Sequence, residues 1–147
     1  KQTGEELYLE FDHKGEIDPW VVEHVMPYLN QEKISKKEGS EQLRKFVESS
    51  YDGKNRPFLL AYVNQFDAMY WYRIFGGNPK HHPAFWIPLD FASILFAHGY
   101  SPDSMGQHDF FKTIGVEIDY DNRGHNALDD AKILKEVYTK FLKKLNK

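Results

Sequence analysis

Six consecutive apolar residues, Phe58-Leu59-Leu60-Ala61-Tyr62-Val63, constrain the fold more than any other stretch. The run has strand length and no polar alternation. It therefore reads as a strand buried on both faces, as in the middle of an α/β sheet. It stops at Asn64, a residue suited to cap a helix, and Gln65 to about Phe75 is expected to be helical, closed by Gly76-Gly77.

The flanking segments extend this pattern. Leu7 to Asp12 alternates apolar and polar residues, the mark of a half-buried strand with Leu7, Leu9 and Phe11 facing in. Asp18-Pro19 predicts a helix start, with the helix running to about Asn30. Residues 31–39 read as a charged loop with Lys33, Lys36 and Lys37 in solvent, before a helix from about Ser40 to Ser50 that carries Leu43, Phe46 and Val47 on one face. Residues 78–89, broken by three prolines, are expected to be irregular. A short helix then starts near Asp90, a turn-rich link covers Gly99 to Gly106, and another short helix lies around Gln107 to Ile114. A loop ends at Gly124, and a long helix runs from Asn126 to about Asn146. Its expected buried stripe is Ala127, Ala131, Leu134, Tyr138, Phe141 and Leu145, with Lys132, Lys135, Lys140 and Lys143 outside. The sum is one mixed α/β domain over residues 1–147.

Composition narrows the chemistry. The chain has no cysteine, which excludes disulfides, thiolate metal sites and a cysteine nucleophile. This suits a cytoplasmic protein. A formal charge of −3 gives no general basic field. No apolar run has transmembrane length and no signal peptide is read, so no membrane association is expected.

Two carboxylates break the polar-out rule. Asp67 shares a helical face with Tyr70, Trp71 and Ile74, the face expected to pack inward. Asp130 borders the buried stripe of the last helix, while Asp129 already serves that helix's dipole. An inward carboxylate costs several kcal/mol unless paired or bound to metal. Asp67 also follows a central strand, where open α/β sheets place their sites. Two such acids can share a hard divalent cation. His125, on the incoming loop, has a side chain able to take a proton near neutral pH.

His125-Asn126-Ala127-Leu128-Asp129-Asp130-Ala131 resembles the third motif of the DEDDh 3′–5′ exonucleases, His-x-Ala-x-x-Asp-Ala. Val63-Asn64-Gln65-Phe66-Asp67 resembles their second motif. Asp90 to Leu95 resembles the helix after it, and Phe110 to Val116 the short helix and turn before the third. The resemblance covers about residues 5–145. It implies a ribonuclease-H-like mixed sheet flanked by helices, and release of nucleoside 5′-monophosphates from 3′ ends of single-stranded nucleic acid. It also implies Asp67 and Asp130 as ligands of Mg²⁺ or Mn²⁺, two ions in the complete family site, with His125 as general base. Asn64, Phe66, Tyr70 and Trp71 become the substrate-binding residues it points to. Phe85 and Trp86 are further candidates for stacking, and Lys80, Arg123 and the lysines of the last helix for phosphate contact.

The family's first motif, Asp-x-Glu, has no counterpart near the start. Leu7 to Asp12 and the following Ile17-Asp18-Pro19 align better with the family's third strand. The expectation is a domain whose first strands are missing. It would be poorly active, with an open sheet edge and without the neighbours that Leu7–Asp12 and Phe58–Val63 would share. The alternatives are a divergent member in which Glu10 and Asp12 stand in for the absent acids, and a catalytically inactive homologue that binds nucleic acid or protein. A zinc site on His81, His82, His98 and His108 is rejected, because their spacing is wrong and Pro83 follows directly.

Overall fold

The computed structural model of the chain describes residues 4–118 and 126–146. Local capping chemistry sets most of its helix starts. Asp18 accepts from the backbone N–H of Trp20 and opens α1, Pro19–His24. This helix is shorter than expected. Pro27 lacks an N–H and cannot continue it, so Met26–Tyr28 forms a 3₁₀ turn instead. Ser35 caps α2, Lys36–Ser49, through the N–H of Glu38. The helix therefore begins earlier than the charge pattern suggested, and Lys36 and Lys37 lie in it.

Helix α3, Asn64–Ile74, follows Val63, which sits at φ 57° in the left-handed region. Asn64 is thus its first residue rather than its cap. A β-branched residue there carries roughly 1–3 kcal/mol of strain. The helix closes as expected at Gly76 and Gly77, at φ 87° and 84°, values that favour glycine. Asp90 caps α4, Phe91–Ala97. Helix α5, His108–Ile114, ends at a left-handed Gly115. Asn126 caps α6, Ala127–Leu145, accepting from the N–H groups of Leu128 and Asp129. The loop expected before Gly124 lies outside the described residues.

Four short strands make two parallel pairs. Strand β1, Glu10–Phe11, pairs with β2, Lys33–Ile34; β3, Leu60–Ala61, pairs with β4, Leu89–Asp90. Each pair encloses a helix, α1 in the first and α3 in the second. The chain is therefore mixed α/β, with six α-helices and two small sheets among the described residues. Strands β1 and β3 do not pair with each other. Both are shorter than their apolar patterns predicted. Phe58 is 55 % exposed, so the run is not buried on both faces. In β1 the deeply buried residue is Glu10, while Leu7, Leu9 and Phe11 are half-buried.

The main core joins α4, α5 and α6. Phe91, Leu95, Phe110, Phe111, Ile114, Val116, Val137 and Phe141 form it. The Phe91 ring meets Tyr138 and Phe141 edge-on, at 5.7 and 5.6 Å between centroids. Such pairs add about 0.5–1.5 kcal/mol each beyond area burial. The stripe on α6 is shifted from the expected one. Val137 is fully buried, whereas Ala127, Ala131 and Leu145 are exposed. The chain exposes 10397 Å² for its 17.3 kDa, against roughly 7800 Å² for a compact monomer of that mass. Much aromatic surface is left open. Among the described residues no helix is long and apolar enough to cross a membrane.

Candidate active site

Strand β3, the first turn of α3, the turn at residues 101–106 and the start of α6 enclose a trough of about 510 Å³. Asp67 and Asp130, far apart in sequence, both line it, and Asp103 is a third carboxylate in its wall. Leu60, Tyr62, Met105 and Leu134 supply its apolar surface.

Each element has a reason to sit where it does. The N–H of Asn64 donates to Asp90 Oδ1 at 3.1 Å, which ties the first turn of α3 to the cap of α4. The Tyr62 hydroxyl donates to the carbonyl of Pro102 at 2.7 Å and pins the turn that carries Asp103. Within that turn Ser104 Oγ donates to the Ser101 carbonyl at 2.7 Å. The N-cap Asn126 sets the start of α6, which positions Asp130 one turn further on.

The electrostatics follow from these walls. Asp67 is exposed rather than inward, because the buried face of α3 carries Ala68 and continues into Phe75. Even so, the surrounding protein desolvates its carboxyl and raises its pKa above the usual value. Burial raises Tyr62, and the negative charges of Asp103 and Asp90 add to the effect. For Asp90, burial alone would raise the carboxyl. Hydrogen bonds from the Ser93 side chain and from the backbone N–H groups of Asn64, Ser93 and Ala92 prevail, so its pKa is lowered.

The remaining expected residues divide. Phe66 and Tyr70 project from α3 and are 60 % and 61 % exposed. They stand one turn apart, on either side of Asp67 in sequence. Trp71 does not join them. Its ring packs at 4.9 Å from Phe75 and 6.0 Å from His82, and its indole N–H is buried without a partner. It belongs to the interior, where aromatic side chains most often go. His125 and Arg123 lie outside the described residues.

Glu10 is a structural anchor and does not line the trough. It accepts from the Tyr8 hydroxyl at 3.0 Å and from the N–H of Asn30 at 2.9 Å. Burial alone would raise its pKa. The N–H groups of Gln31 and Asn30, the Tyr8 hydroxyl and the charge of Lys33 outweigh it and leave the pKa lowered. Asp12 is exposed, and it too is not among the residues lining the trough.

Among the described residues no three His, Asp or Glu side chains converge closely enough to hold a metal ion between them. The trough still offers carboxylate oxygens from separate elements, the donor type that a hard divalent cation takes. Two such ligands suit one ion that keeps several waters. Asp103 escaped sequence reading because Ser101-Pro102-Asp103-Ser104 reads as an ordinary turn. Only the packing of that turn beside α6 brings it to the site. Compared with family models, with curated proteins and with solved structures, the chain matches none of them.

Proposed function

We propose that this chain is a metal-dependent 3′–5′ exonuclease domain of the DEDDh type, on a ribonuclease-H-like fold, acting on single-stranded nucleic acid. The observation that carries the reading is the shared trough. Asp67 and Asp130 stand in motifs that resemble the family's second and third, and both line one concave surface. Asp67 and Asp130 would hold Mg²⁺ or Mn²⁺, with Asp103 beside them. When bound, the ion would stabilise the negative charge that builds on the scissile phosphate. His125 takes the proton from the attacking water. Phe66 and Tyr70 offer faces to the terminal bases, and Asn64 holds the start of α3 in register with α4.

A second reading, an inactive homologue, is favoured by the absence of a three-ligand cluster among the described residues. One experiment separates the two. A 5′-labelled single-stranded oligonucleotide is incubated with the chain in Mn²⁺ or in EDTA, beside His125→Ala and Asp130→Asn, and Mn²⁺ binding is measured by calorimetry. Exonuclease function requires a metal-dependent ladder from the 3′ end that both variants abolish. It also requires Mn²⁺ affinity at least tenfold weaker in Asp130→Asn. No ladder and no Mn²⁺ binding would refute the exonuclease reading for this chain.

A further inference from the structure

A second groove, of about 710 Å³, lies on the chain entering β3 and β4. Lys54, Arg56 and Lys80 line it, together with Asn55 and the rings of Phe58, Phe85 and Trp86. No acidic side chain lines it, although the chain as a whole carries a charge of −3. Among the described residues none of the three cations is in an ion pair. The rings form a row: Phe58 and Phe85 are 4.7 Å apart between centroids, and Phe85 and Trp86 are 6.3 Å apart. Phe58 and Trp86 keep 55 % and 57 % of their surface exposed, which packing into a core would have removed.

The groove and the trough lie along one short stretch of chain around β3. The carbonyls of Pro57 and Leu59 accept from the N–H groups of Phe85 and Leu89, so the pairing of β3 with β4 reaches back towards the groove. Phe58 lines the groove, while Leu60 and Tyr62 line the trough. From Phe58 to Tyr62 the chain spans at most about 14 Å, the length of a few nucleotides.

We propose that this groove binds single-stranded nucleic acid, with Lys54, Arg56 and Lys80 on phosphates and Phe58 and Trp86 stacked on bases. Free cations beside open rings are the combination that grips a flexible strand without reading its sequence. A small anion would leave the rings unused, and an apolar ligand would leave the cations unused. The proposal deepens the exonuclease reading and rests on it in one respect: the groove holds the strand whose 3′ end enters the trough.

The test is binding of fluorescein-labelled oligo(dT) and oligo(U) by anisotropy in EDTA, where no cleavage occurs. The wild-type chain is compared with Lys54→Ala/Arg56→Ala/Lys80→Ala, with Trp86→Ala and with Lys36→Ala. The triple variant should bind at least tenfold more weakly. Its slope of log affinity against log salt should be shallower by about 2, since each lost phosphate contact removes roughly 0.7. Trp86→Ala should cost about fivefold or more. Lys36→Ala, at the exposed start of α2 and lining neither cavity, should bind as wild type. Binding in EDTA needs no metal, so a failed exonuclease reading would leave it intact. Wild-type affinity in the triple variant would overturn the proposal. So would inorganic polyphosphate competing as well as the oligonucleotide at equal charge, because the rings would then do nothing.

Discussion

Replacing Asp90 by alanine removes the carboxylate that joins α3 to α4. Its Oδ1 accepts from the N–H of Asn64 at 3.1 Å, and its Oδ2 accepts from the N–H of Ser93 at 2.9 Å and from the Ser93 hydroxyl. Loss of the α4 cap costs about 0.5–2 kcal/mol. Leaving the half-buried Asn64 N–H unmet costs about 1 kcal/mol more. The expected total is about 1.5–3 kcal/mol, measured by urea unfolding. With a slope of about 1–3 kcal/mol/M, the midpoint falls by roughly 1 M. Acid supplies an independent readout. The folded carboxyl has a lowered pKa, so its stabilisation is present above the unfolded value near ~3.9 and is lost as pH falls through the folded one. Wild type should lose this part of its stability below about pH 4, and the Asp90→Ala variant should not. A cost under about 0.5 kcal/mol, the range of an ordinary surface substitution, would refute the tether. So would an unchanged acid limb.

Two further outcomes follow from buried contacts. A methyl group on Gly39 would overlap the ring edge of Phe11, so Gly39→Ala should destabilise by about 1–3 kcal/mol by urea unfolding. In a Phe11→Ala background the same change should stabilise, because the clash is gone and alanine favours the helix by about 1 kcal/mol. His82 is buried against Tyr72, Trp71 and Phe75. Burial lowers its pKa; a hydrogen bond to the Pro79 carbonyl opposes this, but the charges of Arg56 and Arg44 add to burial and the pKa stays below the ordinary value. Below about pH 6.5 the unfolded chain takes up a proton that the fold refuses, so stability should decline as pH falls from there. In His82→Phe, thermal melts should lose this decline.

The signals carried by single residues were legible in the sequence, and those carried by assembly were not. Asp18, Asp90, Asn126 and the Gly76-Gly77 pair act on backbone groups within a few residues, and their helix ends fall where expected. Ser35 with Glu38 three residues on is the same kind of signal, overlooked beneath the run of lysines. The strands read too long because ladder length is set by neighbours, and each has one partner. Glu10 is buried through bonds from Asn30 and Tyr8, and alternation could not reveal the long-range one. On α6 the residues at Leu134 and Val137 both fit a helical stripe. Only the positions of α4 and α5 select Val137. At the site, Asp67 and Asp130 were picked out from position along helices, and they do line one trough. Asp103 needed the fold.

Every side chain of the main cluster, and every partly buried residue packed against it, comes from Leu60 or later. The unit built from β1, α1, β2 and α2 contributes nothing to it. During synthesis that unit emerges before α4, α5 and α6, with the surfaces of that cluster still unmade. Its helix α2 packs against α3, outside that cluster. In the finished protein the order reverses: amides in the first 59 residues open at lower free energy than those of α4 to α6, and exchange their hydrogens sooner.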